Sequence, residues 1–384
     1  ISNSMAEMYT MMKYLMPDIL EREGISNFDS WASTFGEIET KMEVDQTGQK
    51  WKSVSRFARF HNVTELLTLF GQVADTQTQE MLDLPVPKVA NDGKPFIHAS
   101  EMTDAQAAYM EKLIYRSENM PLDPSEDNML KLTTDARLMA TDMRLIDGEL
   151  YNKDDSLKGQ QVAETVHEIW ERTADNRSTQ LIFSDIGTPK GKRRATEDSL
   201  SADDFDYKFS VYADIRERLE NMGVPRQEIA FIHDYATDKQ RASLFDKVRK
   251  GEIRILFAST QKGGTGVNIQ DRLIAIHHVD APWKPSDIEQ RNGRIIRQGN
   301  LNPVVELHHY VTTGTFDTFM WQIQEQKLTY INQIRTRKSK SRTVEDLDEL
   351  VLNASEIKAI ATKNPFIREK MDLENKLVKL SILR

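Results

Sequence analysis

Apolar residues along this chain fall into two rhythms. Up to about residue 80 they recur at helical spacing, as in "SMAEMYTMMKYL" and "VTELLTLFGQVAD", which predicts helices joined by loops rich in Gly, Asp and Thr. "LDLPVPKVANDGKPF" follows as a proline-punctuated extended connector. "TDAQAAYMEKLIYRSE" opens on a threonine suited to an N-cap and continues at helical spacing. From about residue 158 strands and helices alternate. "QVAETVHEIWERT", "SVYADIRERLENM" and "TDKQRASLFDKVRKG" read as amphipathic helices; "TQLIFSD", "EIAFIHD", "IRILFAST", "RLIAIHHVD" and "VVELHHYV" read as buried strands. Helix "TFDTFMWQIQEQKLTYINQI" closes the unit.

Short apolar runs of Ile, Leu, Phe and Val between amphipathic helices predict an α/β fold, a parallel sheet with helices on both faces. A mainly helical segment precedes it and a helical tail follows. The expected divisions are 1–80, 81–157 (connector and start of the sheet unit), 158–335 and a basic-then-helical tail at 336–384. No internal repeats occur.

Composition narrows the classes. The 384 residues are 39% hydrophobic, ample for a packed core, yet no run of 18 apolar residues occurs, so no membrane partner is expected. Zero cysteines exclude disulfides and thiolate metal sites and fit a reducing, cytoplasmic setting. No signal peptide is evident. The chain starts at Ile1 without an initiator methionine, so a piece of a longer protein is expected. Net charge is −9, but residues 249–342 carry 15 Lys+Arg against 8 Asp+Glu. The rest is therefore at −16, and one segment offers an anion-binding surface on an acidic molecule.

The phosphate loop G-x-x-x-x-G-K-[ST] is absent. "GTPKGKR" (187–193) has its glycines one residue too close, and "DLDEL" (346–350) lies in the tail rather than after a strand. "STQKGGTGVNIQ" (259–270) follows a strand, and its glycines would let backbone amides approach an anion, although a plain glycine turn would look the same. It fails as a dinucleotide fingerprint, because position 269 is isoleucine and no long helix follows. Some twenty residues on, "PSDIEQRNGRIIRQGN" (285–300), taken as one helix, sets Gln290, Arg294 and Arg297 within about 60° of one another. Ile288 and Ile295 point the other way, and Arg291 lies about 100° from the polar cluster. A solvated basic face would carry the same pattern.

The order of these motifs resembles the second RecA-like lobe of superfamily 2 helicases, and among them the Swi/Snf-like double-stranded DNA translocases. The match runs through "TQLIFSD", the glycine loop Ser259–Gln270, Asp280, Trp283 and Pro285 of "DAPWKP", and Gln290, Arg294 and Arg297 of Q-x-x-x-R-x-x-R. "ISNSMAEMYTMMKYLMP" resembles the end of the first lobe and "LDLPVPK" the crossover, so the first lobe's lysine loop and acidic box would lie upstream. "DNMLKLTTDARLMATD" and "NPFIREKMDLENKL" resemble large helicases of phages and mobile elements.

The resemblance implies an ATP-dependent DNA helicase or translocase whose ATP and magnesium sit mainly on the first lobe of the same parent chain. Arg294 and Arg297 would act as arginine fingers, with Gln290 orienting one of them or the phosphate. Gly264, Gly266 and Asn268 would lie against the nucleotide. Ser259, Thr260, Lys262 and Gly263 would hold phosphates of DNA, expected to be double-stranded, with Ser184 and His233 as further contacts. Arg291 would be structural or at the surface, and Trp283 a packing residue. The pairs His277–His278 and His308–His309 sit on strands, where neighbours point to opposite faces, so no metal ligands are expected. "IRTRKSKSR" reads as a solvated connector or as a brace along the lobes or DNA. Alone, this chain is expected not to hydrolyse ATP. A non-catalytic DNA-binding or scaffold module with the same fold is the alternative.

Overall fold

A computed structural model describes residues 6–44, 51–75, 84–121, 125–189, 209–263, 266–335 and the isolated positions 82, 123, 344 and 345. The polar loop 190–208, Gly264, "DLDEL", most of "IRTRKSKSR" and the tail at 336–384, apart from 344–345, lie outside the described residues.

The first segment holds α1 (Ala6–Leu15), α2 (Pro17–Arg22) and α3 (Phe28–Phe35), then a hairpin of β1 (Gly36–Val44) and β2 (Trp51–Phe60), then α4 (Val63–Phe70). Its core is separate, built on the fully buried Met8, Met12, Trp31, Val63 and Leu66. The helices agree with the apolar spacing. The hairpin replaces expected loops: Ile38, Thr40, Met42 and Val44 alternate with charged residues, a period of two that suits a strand.

The second unit runs through β3 (Lys88–Val89), β4 (Phe96–Ser100), α5 (Asp104–Glu118), α6 (Met129–Thr141), α7 (Lys158–Arg172), β5 (Thr179–Phe183), α8 (Val211–Asn221), β6 (Ile229–Phe231), α9 (Asp238–Lys250), β7 (Ile255–Ala258), α10 (Thr260–Gly263), β8 (Leu273–His278), α11 (Pro285–Asn292), β9 (Val304–Thr312) and α12 (Phe316–Arg335). The sheet order is β3-β9-β8-β5-β7-β6, with β4 also on β9, and every pairing is parallel. Strand β10 (Val344–Glu345) pairs instead with β2 of the first segment.

Two apolar layers cover the sheet. Ile182, Phe257 and Tyr310 pack on one face with Val166 and Tyr212; Leu181, Phe183, Leu256 and Ile276 pack on the other with Leu244 and Ile295. Alternation of Leu181, Ile182 and Phe183 between faces is what a strand buried on both sides requires. Helix starts are chemically marked. Thr103 and Thr237 each accept the N–H of the residue three on, and Gln106 and Gln240 reach back to close capping boxes.

Strands β8, β5 and β7 are central neighbours and run the same way. Their C-terminal ends therefore emerge together, and each delivers one polar residue just beyond its last pair: Asp280, Asp185 and Thr260. Loops at the carboxyl ends of parallel strands are where α/β folds place ligands.

Candidate functional site

Helix α11 begins with Pro285 at its first turn, where a missing N–H costs nothing, and stops at Asn292. Gly293 is the C-cap, and Arg294 to Arg297 continue as tight turns. The expected helix through residue 297 is thus corrected: a glycine is a poor helix former, and the Asn292 side chain is held by His278 at 2.9 Å. Ile288 and Ile295 are nonetheless buried, at 4% and 0% exposure.

Arg291 is also 0% exposed, the structural rather than the surface option. Its Nη2 donates to Asp185 Oδ2 at 2.7 Å and to Asp280 Oδ1 at 3.2 Å. Its Nη1 donates to the Asp280 carbonyl at 3.1 Å, and its Nε to the Thr260 hydroxyl at 2.8 Å. The Phe183 ring lies 5.1 Å from the guanidinium carbon. Thr260 in turn donates its N–H and its hydroxyl to Asp185, at 2.6 and 2.7 Å. Asp280 accepts the N–H groups of Asp185 and Ile186 at 2.7 and 2.9 Å. Burial works against a charged Asp185, but the Arg291 charge and the Thr260 hydrogen bonds outweigh it and hold the carboxyl below its ordinary range.

Beside this cluster, Arg294 and Arg297 converge on one acceptor. Their Nη1 atoms lie 3.1 and 3.5 Å from the Val267 carbonyl, and Arg294 Nε reaches the Gln290 carbonyl at 3.4 Å. Burial, and then the Arg297 charge, push the Arg294 pKa down. Both guanidiniums thus lie against the same Val267 carbonyl oxygen. Gly266 adopts φ +69°, and an added Cβ would meet nothing within 4 Å among the described residues, so a backbone reason explains this glycine. Gly266, Asn268, Gln290 and Arg297 are exposed.

The residues expected to hold DNA divide. Lys262 and Thr260 are part-exposed, and His233 is part-buried with its Nδ1 unpartnered among the described residues. Burial and the nearby Lys262 charge lower the His233 pKa to about 4, so the ring is neutral near pH 7. Ser184, by contrast, is 0% exposed and donates its hydroxyl to the Ile186 carbonyl at 2.9 Å. Ser259 is 1% exposed, and Gly263 is buried, where an added Cβ would meet Ala258 at 2.6 Å and Phe183 at 2.9 Å. Ser184, Ser259 and the Thr260 side chain are thus tied into the frame of the loop itself.

The histidine pairs split across the sheet as strand geometry requires. His277 stacks on His308 on one face, with ring centroids 4.8 Å apart. His309 stacks on Trp321 at 3.9 Å on the other, beside His278. Trp283 packs under the Arg137 guanidinium at 4.2 Å, and Gln324 donates to the Trp283 carbonyl at 3.0 Å.

The motifs do not single out Asp185, and they leave Arg291 structural or at the surface. Arg291 carried a signal, since three residues on a helix set it about 60° from Ile288, next to the buried face.

Residues 1–78 match the family described as a probable helicase domain, and residues 192–299 match the helicase conserved C-terminal domain. Defense against restriction protein B of Escherichia phage P1 is 26% identical over 153 residues, covering 38% of this chain and 7% of that protein. The putative ATP-dependent helicase/translocase YwqA of Bacillus subtilis is 30% identical over 108 residues, covering 28% of this chain and 12% of that protein. This chain thus spans a small part of the relatives it matches. Among solved structures, the Sulfolobus solfataricus SWI2/SNF2 ATPase core in complex with dsDNA aligns at TM-score 0.41 and 18% identity, over 71% of this chain and 52% of that one. The C-terminal part of the Fun30 ATPase domain aligns at TM-score 0.39 and 15% identity, over 75% of this chain and 99% of that one.

Proposed function

This chain carries a helicase C-terminal domain, and from that premise we propose that it is the half of an ATP-dependent DNA translocase that reaches across to a nucleotide held by a preceding lobe. The observation that carries the proposal is the convergence of Arg294 and Arg297 on the Val267 carbonyl. Guanidiniums stay charged and offer a planar fork that fits phosphate oxygens. Magnesium-bound ATP supplies a γ-phosphoryl group whose transfer develops charge on its equatorial oxygens. Arg294 and Arg297 would bind and neutralise that charge, and Gln290 would orient one of them. Gly264, Gly266 and Asn268 would shape the loop against the nucleotide. The lysine loop and the magnesium-binding acids belong on this proposal to the partner lobe of the parent protein.

DNA would be held by its backbone through Lys262, with His233 beside it, and through backbone amides of the same loop. Binding would be insensitive to sequence and weakened by salt. The deciding experiment is DNA-stimulated ATP hydrolysis by the parent protein carrying both lobes, beside this chain alone. Activity confined to the parent supports the proposal, and robust hydrolysis by this chain refutes the division of labour. A parent that binds DNA but never hydrolyses ATP is the scaffold alternative.

A further inference from the structure

The loop between β7 and β8 is held at two points by one short stretch of chain. At its start, Thr260 is bound by Arg291 and by Asp185. At its end, Val267 is bound by Arg294 and Arg297. We propose that Arg291 is a positioning residue which, with Asp185, couples the DNA-facing loop to the arginine-bearing turn, so that movement of the loop changes where Arg294 and Arg297 point. This rests on the functional proposal above.

Stability alone is a poor reason for such a cluster. Taking each ion out of water costs several kcal/mol, and apolar replacement of a buried ion pair is often neutral or better. What the guanidinium provides is geometry. Arg291 reaches the ends of three strands through directed donors: Asp185 after β5, Thr260 after β7 and Asp280 after β8. His278 Nδ1 lies 3.3 Å from Nη1, and Phe183 closes the cluster from below. The Thr260 hydroxyl both donates, to Asp185, and accepts, from Arg291. Any shift of Ser259–Gly263 must therefore strain or release a bond to Arg291. Arg291 lies three residues before Arg294 and six before Arg297, across a single glycine, so the displacement passes directly to the turn.

Asp185 offers the cleaner handle. Its side chain is 25% exposed, and asparagine keeps its shape while removing the charge. In the parent protein, Asp185→Asn is expected to lower the factor by which DNA stimulates ATP turnover about tenfold. DNA-free turnover and the DNA Kd should each stay within about threefold of wild type, since only the link between the two is weakened. Arg291→Met should lower the stimulation factor at least as far, and Arg291→Lys should not restore it, because a point charge cannot serve three strand ends at once. A stimulation factor unchanged in Asp185→Asn overturns the proposal, as does a parallel fall of DNA-free and stimulated rates, which would mark a role in stability alone. A wild-type parent with no DNA-stimulated hydrolysis overturns the functional proposal itself, and this one with it.

Discussion

The ammonium of Lys158, at the first residue of α7, is buried against the carboxylate of Asp317 in the first turn of α12, with side-chain exposures of 1% and 8%. Asp317 also accepts the Thr312 N–H at 3.1 Å. This pair ties the start of the α/β alternation to the helix that closes it. Burial pushes the Asp317 carboxyl above its ordinary range despite the pull of Lys158. Lys158→Met, which strands the carboxylate, is expected to cost about 3–5 kcal/mol of unfolding free energy, and the double variant Lys158→Met/Asp317→Leu much less. Denaturant midpoints of the two variants check this, and equal losses would show that the pair is not acting as a pair.

The proposed finger role of Arg294 and Arg297 makes a kinetic prediction. Arg297→Ala in the two-lobe parent should lower ATP turnover by about 10³-fold or more while DNA binding survives. Steady-state turnover beside a DNA titration separates the two, and a loss of only a few-fold would remove Arg297 from catalysis.

The glycines of the loop have different causes and should respond differently. Gly263→Ala forces a Cβ against Ala258 and Phe183 and should cost about 1–3 kcal/mol, with weakened DNA binding as the loop shifts. Gly266→Ala meets no atom of the described residues within 4 Å but keeps φ +69°, so its cost should be about 1 kcal/mol. Thermal melts and DNA titrations of both variants test the order.

Acid should destabilise the sheet through its histidines. Burial holds His277 and His278 well below 6.5, and His309 at about 3. Because these folded-state pKa values lie below the unfolded value, the unfolded chain takes up protons first as pH falls through 6.5. The stabilisation is present above that pH and is lost on the way down. Between pH 7.5 and 5 each imidazole kept neutral should forfeit up to about 2 kcal/mol. His309→Phe would keep the stacking on Trp321, remove a buried Nε2 with no partner among the described residues, and shrink the loss. Melting temperatures at the two pH values decide it.

The sequence makes the sheet strands around the site legible because each is a short apolar run ending in a polar residue. It makes the helix starts legible because threonine caps carry a chemical signature. Strand order is a long-range property and left no local trace; β3 is two residues long, and β4, with sequence FIHAS, lacks the continuous apolar run that marks β5 and β7. The hairpin β1–β2 did leave a trace, the alternation from Ile38 to Val44, which helical neighbours on either side obscured. At the site, spacing picked out Arg294 and Arg297, whose placement the turn now defines, but it assumed a continuous helix through Gly293. Spacing left Arg291 between a structural and a surface role, and its place about 60° from Ile288 is the trace of the buried one.

Parallel strands ending level with one another have a further consequence for folding. A slip of one residue in β7 would carry Ser259 to the place of Thr260 and turn every side chain of that strand to the wrong layer. Arg291 can find all its acceptors only when three strands are in step. The same ions that cost solvation thus act as a registration mark, and a misaligned sheet would leave a naked guanidinium in its interior.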